Sequence, residues 1–287
     1  MTLNEFNNLS EDELDKLLSN CCGSMKWKRE MMKEFPFKDE VKLMDTAQKI
    51  WYNNCNEADW LDAFTHHPKI GNIDSIAEKF PTTKQLAGDE QADVKDASPE
   101  TLRDLIIANR EYEARYGFIF IVSATGKSAT VLLRLLKDRL KNNLKEELHI
   151  AMGEQYKITF LRLHKILSEA KWEPGISQLT THILDTSKGT PCNDITIRLK
   201  HFYNEVLETI AQGITNIDGR INDLLPPGVI MEKGNYKMVF ETGNYFNTQN
   251  LKSFYPEVEI SFTVLDDTHY HVPLLINPFG YTTYRGS

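Results

Sequence analysis

No stretch of the chain approaches the ~18 consecutive apolar residues that a helix needs to cross a bilayer. The opening MTLNEFNNLSEDELDKLL is acidic and amphipathic, unlike a secretory signal. Lysine and arginine never gather into a run, and the formal net charge is −8. Nucleic acid and anionic membranes are therefore poor partners, although local basic pockets can still draw in an anionic substrate. Cysteine is scarce. Cys21, Cys22, Cys55 and Cys192 form no C-x-x-C pair and lack zinc-finger spacing to histidine, so they read as reduced thiols of an intracellular protein. Internal repeats and low-complexity tracts are lacking too. What remains is 287 residues, 41% hydrophobic and 26% charged, an ordinary globular composition long enough for two domains.

The two halves follow different periods. In the first, LSEDELDKLL carries a capping box, with Ser10 as N-cap and Glu13 three residues on. ASPETLRDLIIANREYEARYG places Ser98 as cap, Pro99 at the first helical position, a stripe of Leu102, Leu105, Ile106, Tyr112 and Tyr116, and Gly117 at the end. Helices are also expected near 38–52, 57–65, 128–140 and 144–167. After SEAKWEPGISQ the period becomes two. SQLTTHILD, DITIRLKHF, YKMVFET, EVEISFTVLD, HYHVPLLI and GYTTYRG are short, β-branched or aromatic, and separated by turn residues. The expectation is an all-α domain over 1–170, a linker at 171–176, and an all-β sandwich of seven or eight strands with a short helix over 177–287.

Chemistry-bearing residues occur in both halves. In THHPKIG, His67 precedes Pro68, so its backbone is pushed toward an extended shape just past a helix end. A histidine held there suits acid–base work, though a solvated loop histidine has the same pattern. Glu90 and Gln91, in GDEQADV, stand alone as ordinary first-turn residues. Arg162 falls on the apolar stripe of Leu148, Ala151, Met152, Leu163 and Ile166, where it needs an anion, either a carboxylate or a ligand. Gln155 shares that stripe. In the β half, His269 and His271 share one strand face, His182 sits in another strand, and Arg220 adjoins a turn glycine. Three histidines allow a zinc site or metal-free hydrolysis with histidine as base and arginine at the oxyanion; ordinary polar-face residues are the third reading.

FTHHPKIG, DEQ, NREYEARYGFIFIV, LKDRLKNNLKEEL and ITFLRL, in that order, resemble the decarboxylase of 2-oxo-4-hydroxy-4-carboxy-5-ureidoimidazoline (OHCU) over about residues 1–168. The resemblance implies His67 and Glu90 as catalytic residues, with Pro68, Gln91 and Arg162 against the substrate. Where that family usually has a serine, this chain has Ala87, which removes one substrate hydrogen bond or leaves it to another group. THILDTSKGTPC, TNIDGRI, FYPEVEISFTV and HYHVPLLINPFGYTTYRGS resemble the transthyretin-like 5-hydroxyisourate hydrolases from Ser177 to Ser287. That resemblance implies His182, Arg220, His271 and Ser287 as catalytic and Tyr284, Arg285 and Gly286 as substrate-binding. It favours the metal-free reading, with no cofactor in either half.

The hydrolase family's product is the decarboxylase family's substrate. The joint expectation is a chain that opens 5-hydroxyisourate and decarboxylates OHCU to (S)-allantoin. The alternative is one active domain beside a ligand-binding or oligomerising module. A homotetramer through the C-terminal domain is implied, and the location expected is cytoplasmic, with peroxisomal as the alternative. The ending YRGS implies a tail folded into the site, with no room for a polar extension beyond it.

Overall fold

The computed structural model describes residues 1–67, 98–125, 127–167, 177–203, 206–225 and 229–286. It divides into two units, Met1–Glu173 and Pro174–Ser287. The expected linker at 171–176 lies outside the described residues.

In the first unit, most of the described helix starts are written locally. Ser10 and Glu13 form the reciprocal capping box of α2 (Glu11–Cys21), following α1 (Leu3–Phe6). Ser24 caps α3 (Met25–Lys33) and Asp39 caps α4 (Glu40–Lys49), which runs on into a π-turn over Ile50–Asn54. Asn56 and Asp59 make a further capping box for α5 (Glu57–Thr65), as Thr2 and Glu5 do for α1. Ser98 and Pro99 open α6 (Pro99–Tyr116), and Ser128 opens α7 (Ala129–Arg139). The buried stripe of α6 differs from the expected one. Ile106 faces outward at 37% exposure, while Asn109 is buried and donates to the Leu105 carbonyl at 2.9 Å. The inward positions 105, 109, 112 and 116 follow the helical repeat, which leaves Ile106 a quarter-turn off the face.

The last helix of the unit, α8 (Leu144–Leu167), is buried on nearly every side, so the single expected stripe was too narrow. Around it, Trp51 donates its indole N–H to the Met152 carbonyl at 3.0 Å. The buried pairs Arg139–Glu147 and Lys157–Glu154 neutralise the charges the helix carries inward. The irregular segment after α6 is pinned from the same helices: Arg139 donates to the Ile121 carbonyl at 2.7 Å and Ser123 N–H to Glu154 at 2.7 Å.

The second unit is a two-sheet sandwich. One sheet runs in the order β10–β9–β1–β2, with β5 and β8 also on β1; the other runs β4–β3–β6–β7. The strands are β1 (Leu179–Asp185), β2 (Thr190–Pro191), β3 (Thr196–Tyr203), β4 (Val206–Ile214), β5 (Arg220–Ile221), β6 (Gly234–Phe240), β7 (Val258–Val264), β8 (Tyr270–His271), β9 (Leu274–Asn277) and β10 (Gly280–Thr283), with α9 (Thr242–Asn247) after β6. Alternation sends Leu179 and Ile183 of β1 into the core with Leu199, Met238, Phe240 and Leu274. Thr180 and His182 therefore take the opposite face. β4 was not anticipated. The apolar run HVPLLI divides into β8 and β9 at Val272–Pro273, and β1 pairs in parallel with both pieces.

Candidate active sites

Strand register builds the site of the β unit. Thr180 lies opposite His271 on β8, and His182 lies opposite Arg220 on β5, so β1 is flanked by an imidazole on one side and a guanidinium on the other. Arg220 is delivered by a tight turn. Asn216 Oδ1 accepts from Arg220 N–H at 2.9 Å, and Gly219 has φ +67°, with the Ile183 carbonyl only 2.5 Å from where a Cβ would stand. No side chain fits there.

His182 Nδ1 and His271 Nε2 lie 3.0 Å apart. Their rings are nearly parallel at 16°, with centroids 5.2 Å apart. His271 Nδ1 is 2.9 Å from the Thr180 hydroxyl, which is also 2.9 Å from His269 Nε2. Burial, then the Arg220 charge, lowers the His182 pKa. His271 is lowered by burial first, then by His182, His269 and Arg220. Both rings are thereby kept neutral, as a proton acceptor must be. Among the described residues no group of three or more His, Cys, Asp or Glu side chains is arranged to hold a metal ion. His182 and His271 turn nitrogens toward each other, which is a hydrogen-bonding arrangement and not a shared ligand set.

The tail returns to this cluster. Gly286 bridges to His271, its N–H donating to the His271 carbonyl at 2.9 Å. A Cβ on Gly286 would stand 2.4 Å from His271 Cδ2, so the close approach requires glycine. Arg285 lies over the Tyr270 ring at 5.4 Å, Tyr284 is exposed, and Ser287 lies outside the described residues. Thr180 was not anticipated. The T-x-H spacing within LTTHILD carried the signal, by the same alternation that put His269 and His271 on one face.

In the helical unit, His67 follows the end of α5, with its N–H donating to the Phe64 carbonyl at 3.2 Å. Arg162 of α8 is 5% exposed and donates to the Asn20 carbonyl at 3.1 Å. Burial pushes the His67 imidazole down to about 3; the Arg162 charge adds to this, while a hydrogen bond with Gln155 pulls it back. His67, Arg162 and Gln155 therefore share one pocket. Gln155 is fully buried, its Nε2 donating to Thr159 Oγ1 at 3.2 Å, while its Oε1 has no partner in regular hydrogen-bond geometry. The preceding His66 packs on Gly23, where a Cβ would stand 2.5 Å from the ring. Pro68, Ala87, Glu90 and Gln91 lie outside the described residues.

The OHCU decarboxylase family matches residues 7–164, and the HIUase/transthyretin family matches residues 179–286. The chain is 31% identical to the uric acid degradation bifunctional protein TTL of Arabidopsis thaliana, over 93% of this chain and 96% of that one. The chain belongs to this bifunctional family. It joins an OHCU decarboxylase domain, all α, to a transthyretin-like hydrolase domain, all β. The second domain is also 43% identical to the 5-hydroxyisourate hydrolase of Mus musculus, over 39% of this chain and 96% of that one. A solved structure described as (S)-allantoin synthase covers 100% of both chains at 23% identity, with a TM-score of 0.47.

Proposed function

We propose that the chain carries out two consecutive steps of urate degradation: lactam opening of 5-hydroxyisourate at the His182 cluster, then decarboxylation of OHCU to (S)-allantoin in the His67 pocket. The observation that carries the reading is the convergence of His182, His271, Arg220 and the tail on one sheet face, within a hydrolase-family domain.

In the hydrolytic step a neutral imidazole takes a proton from water, and the water oxygen attacks the carbonyl. Arg220 lies beside the histidines, where it can stabilise the oxyanion that develops. Tyr284, Arg285, Gly286 and Ser287 wall the substrate against this cluster. In the second step His67, paired with Glu90, takes the C4 hydroxyl proton as carbon dioxide leaves, and a proton returned to one face of C5 sets the configuration. Pro68, Gln91 and Arg162 hold the substrate. Arg162 already donates to a backbone carbonyl, which tempers its grip on the carboxylate; too tight a grip would stabilise the ground state.

The exposed aromatic group Phe254, Tyr255, Phe279 and Tyr281 beside edge strand β10 supports assembly through this domain, and a homotetramer is the proposed state. Light scattering of the intact protein checks the mass.

Two variants test the assignments separately. His271→Ala should lose hydrolase activity by about 10²–10⁴-fold, read as loss of 5-hydroxyisourate absorbance in the near ultraviolet, with turnover of supplied OHCU retained. His67→Gln should do the reverse, and its allantoin should show no circular dichroism. An undiminished hydrolase rate in the first, or optically active product from the second, contradicts the assignment.

A further inference from the structure

We propose that Thr180 is a positioning residue of the hydrolase site. Its hydroxyl links His271 to His269, fixes the tautomers so that His182 Nε2 is the free proton acceptor, and opens a route for the accepted proton to the surface. The proposal rests on the assignment of His182, His271 and Arg220 to hydrolysis.

Three contacts form one chain of groups: His182 Nδ1 to His271 Nε2 at 3.0 Å, His271 Nδ1 to Thr180 Oγ1 at 2.9 Å, and Thr180 Oγ1 to His269 Nε2 at 2.9 Å. Each contact holds a single proton. The hydroxyl has one proton to give and lone pairs to accept with, and each neutral imidazole has one N–H and one bare nitrogen. Three orientations then satisfy all three contacts. In one, His271 and His269 both donate to the hydroxyl, which closes the route to His269. The other two have Thr180 donating within the chain. In the first, Thr180 donates to His271, His271 donates to His182, and His182 is left with its proton on Nε2, unable to accept. In the second, His182 donates to His271, His271 donates to Thr180, Thr180 donates to His269, and His182 Nε2 keeps a bare lone pair.

Between these two, a proton acceptor at His182 requires the second, in which its Nε2 is bare. In that orientation the His271 nitrogen on the Thr180 side carries the proton. Thr180 is 8% exposed, so water does not readily replace its hydroxyl.

The proton count balances along the chain. His182 Nε2 takes a proton from the attacking water as the C–O bond forms. His182 passes its Nδ1 proton to His271 Nε2, His271 passes its Nδ1 proton to Thr180, and Thr180 passes its own to His269 Nε2. Each intermediate group gains one proton and loses one, and the positive charge ends on His269, which is exposed. Arg220 drives the transfer outward, because its charge disfavours an imidazolium at both His182 and His271. When the C–N bond breaks, the leaving nitrogen recovers a proton by the same path in reverse.

Thr180→Val keeps the branched shape without the hydroxyl, and Thr180→Ser keeps the hydroxyl without the methyl. Thr180→Val should lose about 10–100-fold in hydrolase kcat, the range seen when a group that orients a catalytic ligand is removed, with KM unchanged. Thr180→Ser should restore most of the rate. Nitrogen-15 NMR of the wild-type protein should place the His271 proton on Nδ1. A wild-type kcat in Thr180→Val, equal impairment in Thr180→Ser, a loss confined to KM, or His271 protonated on Nε2 each overturns the proposal. Full hydrolase activity in His182→Ala would instead remove the site assignment beneath it, so the two failures are distinguishable.

Discussion

The His67 pocket and the His182 cluster both set an imidazole beside an arginine, and they part company behind the imidazole. Among the described residues His67 backs onto Gln155, a buried carboxamide that can orient a ring but cannot carry its proton away. His182 backs onto His271, Thr180 and His269, each able to accept one proton and give up another. The reactions ask for this difference. Decarboxylation removes a proton from a hydroxyl and returns one to the same molecule, so a buried base keeps the proton beside the carbon that needs it. Exclusion of water also favours a carboxylate losing its charge as carbon dioxide. Hydrolysis consumes water, so its site must stay wet, and a base with an outlet is not blocked by the proton it has taken.

The sharpest break between the two sites is removal of Tyr284–Ser287. The tail touches the hydrolase cluster through the Gly286–His271 bridge, and its loss exposes that edge and withdraws one wall. Hydrolase activity should fall by at least ~10²-fold, since acid–base catalysis depends on geometry held within hydrogen-bond reach. Turnover of supplied OHCU should be unchanged. A parallel fall in both activities would mean that the units depend on each other, contrary to the contrast drawn above.

Arg220→Gln should act on the hydrolase in two ways. Removing a charged donor beside a developing oxyanion costs about 10²–10³-fold in kcat. The pH profile moves as well. Arg220 lowers the pKa of His182 and His271, which keeps both neutral to lower pH. Without it those pKa values rise toward the usual histidine range, so the acid limb of kcat/KM shifts to higher pH. The decarboxylase limb should stay in place; an unmoved hydrolase limb would show that Arg220 does not set the charge state of these rings.

Much of this was legible locally. Capping boxes at Ser10 and Asn56, and the Ser98–Pro99 start, are decided within one turn of chain, so the helical half could be read directly. β4 could not. VLETIAQGI contains Ala, Gln, Glu and Gly, weak strand formers, and its conformation comes from long pairing with β3. Asn109 takes an inward place on α6 while Ile106, expected there, faces out; Asn109 satisfies itself on the Leu105 carbonyl and so tolerates burial. Arg162 and Gln155 could be picked out as polar residues on an apolar stripe, but their meeting with His67 depends on α5 and α8 packing together. His182 and Arg220 lie far apart in sequence, and only the β1–β5 register makes them neighbours. Glu90, Gln91, Pro68 and Ser287 stand on the family resemblance.

The smallest expected effect concerns stability, and it separates the two histidine environments without measuring catalysis. His67 titrates near 6.5 when unfolded and at about 3 when folded, because burial and Arg162 oppose its charge. Its folded pKa is depressed, so its contribution is complete above pH 6.5 and is lost as pH falls, the unfolded chain taking up a proton that the folded one refuses. At ~1.4 kcal/mol per pH unit, discounted for the ring's partial exposure, that is about 1–2 kcal/mol by pH 5. His67→Gln removes the titrating group. Between pH 7.5 and pH 5 the helical unit of the wild-type protein should therefore lose a few degrees more of Tm than the variant, followed by circular dichroism at 222 nm. The remaining histidines are common to both proteins and cancel in the difference. Equal acid sensitivity of wild type and variant would mean that His67 is solvated, and the buried-base half of the comparison would fall.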